Sequence, residues 1–179
     1  FNTAGTVKVD DRITTSSAYV FAQYAKGDFS VKAKATFAEA GEHMNLNGGY
    51  AVTSMKNDSW EYTPTRNLSS WISFKYGKKL QGVLFGGFVK NYGTKEEIIS
   101  PDYIYFSKNS FSNMNAMYRI TPAVLYNLGK VTFGLEYELT SVQYGKWDAF
   151  SDDYKYGLAT ADLHWVTNNR VQALLRYTF

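Results

Sequence analysis

The chain ends on the ten residues RVQALLRYTF (170–179), in which two kinds of side chain alternate. Counting back from Phe179, every second position is apolar, and mostly polar residues stand between. A period of two is typical of a β-strand with one apolar and one polar face. The same alternation recurs in FSVKAKATF (29–37) and VTFGLEYEL (131–139). The sequence therefore predicts an all-β chain whose strands have unlike faces.

Composition narrows the class of protein. The 179 residues suffice for one domain, and the absence of Cys excludes disulfides and thiolate metal sites. The net charge is only +3 and no Lys/Arg block stands out, so nucleic acid is not an expected partner. Mean hydropathy is −0.33, and no stretch approaches the ~18 apolar residues of a membrane helix. Yet 17% of the chain is aromatic, with 15 Tyr, a residue that suits membrane boundaries.

Short turns and long loops alternate along the chain. Gly/Lys turn chemistry places short turns near 25–28, 77–79 and 127–130, and irregular polar sequence fills about 39–66, 93–114 and 144–168. Segment 154–166 is interpreted as an arm of the last loop, because a separate strand there would reverse the direction of the chain end. The predicted strands, of about 9–14 residues, have the length of tilted membrane-spanning strands. They cover 17–25, 28–38, 67–76, 79–91, 115–127, 130–143 and 169–179.

This alternation predicts a transmembrane antiparallel up-and-down β-barrel of outer-membrane type, with periplasmic turns and extracellular loops. Tyr24, Tyr76 and Tyr126 each precede a short turn, and Tyr177 continues their spacing of about 50 residues. With Phe179, they are predicted to form an aromatic girdle at the lower membrane interface, so the C-terminus is expected in the periplasm. A soluble β-sandwich is the alternative, but its strands would be shorter and its loops more even.

The polar face is then predicted to line a pore, with more basic than acidic side chains. Arg119 lies among apolar residues in mid-strand, where a charge must face water or pair with a carboxylate, and Glu136 is its expected partner. A pore lined mainly by one sign of charge selects among solutes, which predicts passive diffusion with a weak preference for anions. The predicted pore-lining residues are Lys32, Lys34, Lys75, Arg119, Glu136, Glu138 and Arg176.

Other chemistry is not expected. His43 and His164 stand outside any nucleophile motif, so no enzyme and no catalytic residue is predicted. Asp148, Asp152 and Asp153 lack the spacing of a calcium loop, and neither a metal nor a cofactor is predicted. The alternative function is a plugged structural or adhesive barrel whose aromatic loops bind a partner. These loop aromatics are Trp60, Tyr62, Tyr103, Tyr105, Trp147, Tyr154 and Trp165.

The strand and turn pattern resembles DcaP-like porins, which are trimeric 16-stranded barrels, and matches the C-terminal half of that family. The stretches that carry the resemblance are KGDFSVKAKATFAEAG (26–41), NGGYAV (47–52), WEYTPTRNLSSWISFKYGKKLQGVLFGGFVKNYGT (60–94), MYRITPAVLYNLGKVTFGLEYELTSVQYG (117–145) and TNNRVQALLRYTF (167–179). The final strand, ending in Phe179, also resembles the signal that the outer-membrane assembly machinery recognises.

The resemblance implies a homotrimeric porin in the outer membrane of a Gram-negative bacterium, in contact with lipid and delivered by the assembly machinery. It also implies anionic solutes such as dicarboxylates. Seven strands cannot close a single-chain barrel, which takes an even number from eight upward. The chain is therefore expected to supply the C-terminal seven or eight strands of a larger barrel, as one barrel segment over 1–179. The alternative is a complete barrel of eight to ten strands that uses 1–16 or 154–166.

Overall fold

The structure, a computed structural model, describes residues 12–41, 46–56, 59–106 and 113–179. The fold is all-β, with 72% of the described residues in strands. Within these described ranges, short 3-10 helices cover Pro101–Tyr103 and Asp152–Tyr156. Among the described residues, no helix is both long and apolar enough to cross a membrane. The strands are β1 (Ser17–Lys26), β2 (Phe29–Glu39), β3 (Gly49–Lys56), β4 (Ser59–Tyr76), β5 (Leu80–Thr94), β6 (Ile104–Phe106), β7 (Met114–Leu128), β8 (Val131–Lys146) and β9 (Ala161–Tyr177).

Seven of these strands form one antiparallel, up-and-down sheet in the order β1-β2-β4-β5-β7-β8-β9. This confirms the predicted all-β, antiparallel, up-and-down arrangement. The sheet is open in the described part of the chain, because β1 pairs only with β2 and β9 only with β8. Both edge strands are exposed along nearly their whole length.

Two of the turns at one end of the sheet are only two residues long. Gly27 and Asp28 alone join β1 to β2, and Gly129 and Lys130 alone join β7 to β8. Gly27 has φ 59° and Gly129 has φ 60°, a left-handed conformation that glycine adopts without steric cost. The predicted hairpins therefore follow directly from the glycine positions.

Several strands extend into segments that were predicted to be loops. The region 39–66 contains β3 and the first part of β4, and β9 begins at Ala161 rather than at 169. Residues 161–166 continue the last strand, so they do not form a separate strand and do not reverse its direction. The interpretation of 154–166 as a loop arm is therefore wrong for its second half. Residues 1–11, part of the alternative extra strand over 1–16, lie outside the described residues.

A loop cluster beyond the sheet's long-loop end contains four of the buried apolar residues, Ala51, Val52, Ile98 and Ala159. We define this cluster as β3, β6, the segment 95–103 and the segment 147–160. β3 pairs with β4 on one side and with β6 on the other. The amide of Ile99 donates to the carbonyl of Val52 (3.1 Å), and that of Ile98 donates to the carbonyl of Lys155 (2.7 Å). The cluster is therefore a packed unit rather than a set of independent loops.

Candidate functional site: the polar face of the sheet

Strand register divides the side chains of the sheet between two faces. Residues directly opposite each other in an antiparallel pair point to the same face, and a slip of one residue would exchange the faces. One row of partners runs Phe21–Lys34–Trp71–Gly87–Arg119–Thr140–Asn168 across the seven strands. We call the face that carries this row the polar face. The apolar face carries Val20, Ile72, Leu84, Val124, Leu135 and Val171.

The register places all seven predicted pore-lining residues on the polar face. Lys32 pairs with Ser73 and Lys75 with Ser30, Glu136 pairs with Ala123, and Arg176 pairs with Thr132. Glu138 pairs with Arg170, which belongs to the same face. The period of two was therefore sufficient to group these residues, although it does not show what the face contacts.

Exposure on the two faces is inverted relative to an ordinary soluble sheet. On β7, apolar Val124 is 52% exposed whereas polar Thr121 is 7% exposed. On β8, Leu135 is 59% exposed whereas charged Glu138 is 9% exposed. The long side chains on the polar face cover one another, and the apolar side chains on the other face have no cover from the described residues.

Glu138 lies between two arginines on the polar face. Its Oε2 is 3.3 Å from Nη1 of Arg119 and 3.0 Å from Nη2 of Arg170. Arg119 Nε also donates to Thr140 Oγ1 (2.9 Å), and that hydroxyl donates to Glu138 Oε1 (3.3 Å). The three charged groups and the hydroxyl therefore form a closed network across β7, β8 and β9.

This network corrects the expected pairing of Arg119 with Glu136. Arg119 lies directly opposite Thr140, so Glu138 is its diagonal neighbour and Glu136 is one step too far along the strand. Glu136 instead accepts a hydrogen bond from Gln172 Nε2 (3.1 Å). The sequence analysis also missed Arg170, although its position six residues before Arg176 puts both on one face.

The lysines at the other side of the polar face have a different environment. No described carboxylate lies within ion-pairing distance of Lys32, Lys34 or Lys75. Lys34 Nζ lies 4.8 Å from the centre of the Tyr19 ring, a cation–π contact. Among these lysines runs an aromatic row, in which the Trp71 ring is 6.3 Å from that of Phe21 and 6.2 Å from that of Phe85.

The predicted girdle residues share the apolar face and the short-turn end of the sheet. Tyr24 lies opposite Val31, Tyr76 opposite Phe29, Tyr126 opposite Phe133 and Tyr177 opposite Val131. Each is exposed, and Phe179 follows Tyr177 with its ring centre 5.1 Å away in an edge-on arrangement.

Candidate residues outside the sheet's polar face have local roles. Asp152 Oδ1 is 2.8 Å from Lys155 Nζ, and this hydrogen bond and charge hold the pKa of Asp152 below its usual value. Asp153 Oδ2 accepts from Thr160 Oγ1 (2.7 Å), and Asp148 Oδ1 accepts from the Phe150 amide (3.0 Å).

No group of three metal-ligating side chains forms among the described residues. His164 contacts the carbonyl of Asp162 (Nδ1 to O, 3.1 Å), and His43 lies outside the described part of the chain.

The long-loop end of the polar face is partly covered by residues from the loop cluster. Thr65 and Asn67 belong to the polar face of β4, and Thr65 Oγ1 donates to the carbonyl of Gly49 (3.2 Å). The Asn67 side-chain amide donates to the carbonyl of Asn47. The chain on the N-terminal side of β3 therefore crosses over the polar face, and no pattern in the sequence indicated this feature.

Comparisons with protein-family models, with curated proteins and with solved structures find no match for this chain. The resemblance to DcaP-like porins therefore stays a prediction. The chemistry of the polar face has to be inferred from its own geometry.

Proposed function

We propose that this sheet is part of the wall of an outer-membrane β-barrel that conducts small hydrophilic solutes by passive diffusion, with a weak preference for anions. In this proposal the apolar face contacts lipid and the polar face lines the water-filled lumen. No covalent chemistry and no cofactor is required, because such a channel acts only through its size and its charges.

The inverted exposure of the two faces is the observation that carries the proposal. An apolar face as large as this one is costly in water, and a band of exposed apolar side chains is the surface that a membrane barrel presents to lipid. On β8 this face runs from Val131 to Leu139. At about 3.4 Å per residue and a tilt of about 40°, the stretch rises roughly 20 Å, close to the ~25 Å apolar band of outer-membrane barrels.

The stagger of the girdle residues supports the same orientation. The row of partners through Tyr24 crosses β4 at Phe74 and β7 at Pro122. Tyr76 and Tyr126 lie two and four residues further toward the short turns, which is one residue for each strand crossed. Neighbouring strands are about 4.8 Å apart and rise about 3.3 Å per residue. A stagger of one residue per strand therefore brings these rings to the same height along the barrel axis when the strands tilt by about 35° from that axis. Membrane barrels have strand tilts of about 35–45°.

The open edges indicate what the wall still needs. β1 and β9 each leave one row of backbone groups without a strand partner among the described residues. Such edges are not viable in hydrocarbon, so we propose that further strands complete the barrel. The predicted homotrimer, the Gram-negative outer membrane and delivery by the assembly machinery through β9 are parts of this proposal.

The anion preference follows from which charges on the polar face are already neutralised. Glu138 is shared by two arginines, whereas Lys32, Lys34 and Lys75 have no carboxylate partner among the described residues. Free positive charge on a lumen wall concentrates anions beside it.

Planar-bilayer recording tests the proposal. The intact protein, purified in detergent, is expected to give stable ohmic current steps, and the reversal potential in a potassium chloride gradient is expected to favour chloride. The triple variant Lys32→Gln/Lys34→Gln/Lys75→Gln should keep the conductance steps and lose the preference. A preference for cations in the unmodified protein would contradict the proposed anion preference, but the proposal that the protein is a channel would stand.

A plugged or adhesive barrel is the second candidate, and the loop cluster favours it. Tyr50 packs on Tyr105 with ring centres 5.2 Å apart and meets Tyr62 edge-on at 5.7 Å. This aromatic surface on a packed unit offers a site for a partner. Bilayer silence from protein that migrates as a folded, heat-modifiable barrel would support this candidate over the channel.

A further inference from the structure

A polar pocket of about 360 Å³ lies on the polar face, near the short-turn end of β1, β2 and β4. Its wall contains Lys32 and Lys75, the hydroxyls of Ser30 and Ser73, and the amide of Gln23. These five side chains supply hydrogen-bond donors, and no carboxylate lines the pocket. The pocket therefore suits an acceptor-rich ligand.

Register arranges these residues as a checkerboard on two strands. Lys32 lies directly opposite Ser73, and Ser30 lies directly opposite Lys75. Gln23 lies opposite Lys32 on the outer side. The two lysines are thus diagonal neighbours, which places their backbones roughly 7–8 Å apart. Two ammonium groups that line one pocket repel each other, and an anion between them would offset that repulsion.

We propose that this pocket binds the phosphate group of a solute, either free phosphate or a phosphate monoester. The inference rests on the proposed function for access, because the pocket opens on the face assigned to the lumen. It deepens that function by naming one place on the wall and one class of solute.

The charge and number of the donors favour phosphate over a monocarboxylate. The planar fork of Arg recognises both kinds of oxyanion, whereas Lys holds an oxyanion as a point charge, as in many phosphate sites. Two lysines match the charge of about −2 that a phosphate monoester carries at neutral pH. The hydroxyls of Ser30 and Ser73 add donors for the several oxygens that a tetrahedral oxyanion presents.

The arginines of the polar face do not compete for this ligand. Arg119 and Arg170 are both engaged by Glu138. Lys34 lies on the same face and strand as Lys32 but does not line the pocket, and its ammonium group lies over the Tyr19 ring. Lys34 therefore provides a matched control of equal charge.

Isothermal titration of the intact protein in detergent micelles tests the site. Sodium phosphate and glycerol phosphate are titrated separately, in a background of sodium chloride, into the unmodified protein and into Lys32→Gln, Lys75→Gln and Lys34→Gln. Lys32→Gln and Lys75→Gln each remove one charge-assisted hydrogen bond, which is expected to weaken phosphate binding about tenfold. Lys34→Gln should stay within about twofold, and sodium acetate should bind more weakly than phosphate to the unmodified protein.

The outcomes separate this inference from the proposed function. Tighter binding of glycerol phosphate than of phosphate would identify the monoester as the ligand, and the reverse order would identify free phosphate. Equal weakening in Lys34→Gln, equal binding of acetate, or no binding would overturn the site, even if bilayers show a channel. Binding with the expected variant pattern, from protein that carries no current, would keep the site and overturn the channel. Migration of each variant as a folded, heat-modifiable species excludes misfolding as the cause.

Discussion

The polar face has two sides that treat charge in opposite ways. On the arginine–glutamate side, formed by β7, β8 and β9, Glu138 is buried between Arg119 and Arg170. On the lysine side, formed by β2 and β4, Lys32, Lys34 and Lys75 face their surroundings without a described carboxylate partner. Both sides belong to one continuous sheet with one alternating pattern.

The difference teaches that a charged residue on a pore wall can be part of the structure or part of the permeation path. On the paired side one carboxylate binds two guanidinium groups, so the ion pairs hold three strands in register and leave a net charge of +1, against +3 for the three lysines. The unpaired side is held instead by the aromatic row of Phe21, Trp71 and Phe85, which leaves its ammonium groups available to a solute.

The largest expected effect is on stability, from the paired side. Glu138→Gln leaves Arg119 and Arg170 side by side with no carboxylate between them. Breaking a buried ion pair is strongly destabilising, and the half-exposed arginines reduce that cost here, so we expect a loss of about 2–3 kcal/mol in the free energy of unfolding. Urea unfolding of the detergent-solubilised protein measures it. Glu136→Gln is the control, since Glu136 accepts a hydrogen bond from the neutral Gln172 and has no ion pair among the described residues. An equal loss there would contradict the role of the network.

The aromatic row gives the next effect and tests how the lysine side is held. Trp71→Ala removes the ring that links Phe21 to Phe85. Removal of a buried aromatic ring costs about 3–5 kcal/mol. Because Trp71 is only half-buried, we expect the free energy of unfolding to fall by about 1–2 kcal/mol. Trp71→Phe keeps an aromatic ring and should recover more than half of that loss in the same unfolding measurement. If Ala and Phe are equivalent, the row does not hold this side.

Channel selectivity should change in opposite directions on the two sides. Glu138→Gln adds positive charge to the wall and should increase the preference for anions, whereas Lys75→Gln should decrease it. Both shifts in reversal potential should shrink between 0.1 M and 1 M salt, because the screening length falls from about 10 Å to about 3 Å. Shifts of the same sign in the two variants would contradict the opposite roles of the two sides.

The smallest effect is expected from an ion pair outside the sheet. Lys155 holds the pKa of Asp152 below its ordinary value of 3.8. Because the folded chain releases this proton more easily than the unfolded chain, the contribution of the pair is complete above that value. It is lost as the pH falls through the lowered value. Both side chains are exposed to solvent, so Asp152→Asn should leave the unfolding midpoint at pH 7 unchanged within error.

The sequence predicted what depends on periodicity and could not predict what depends on register. Alternation alone grouped Lys32, Lys75 and Arg176 on one face, because side chains in a strand have a period of two whatever their neighbours. The partner of Arg119 required the offset between β7 and β8, which the two-residue turn at Gly129 sets. Glu136 and Glu138 are two residues apart on the same face of β8, so alternation alone cannot tell which of them meets Arg119.

The strands of the loop cluster could not be predicted from the sequence for a different reason. β3 and β6 are short, and β3 is held by a segment distant in sequence, since the amide of Ile99 donates to the carbonyl of Val52. A local pattern cannot show such packing. The lysine pocket was likewise visible only once the pairing of β2 with β4 placed Ser30 opposite Lys75.

β4 belongs to two assemblies at once, which gives the molecule a natural point of separation. From Asn67 to Tyr76 its backbone is paired on both sides, with β2 and with β5, whereas Ser59–Pro64 pairs only with β3. A register shift between Thr65 and Asn67 marks the boundary. Amide hydrogens of Ser59–Pro64 should exchange with solvent through local opening of the loop cluster. Those of Asn67–Tyr76 should exchange only when the whole wall opens. The loop cluster can therefore fluctuate, or yield to a binding partner, while the strands of the wall remain closed.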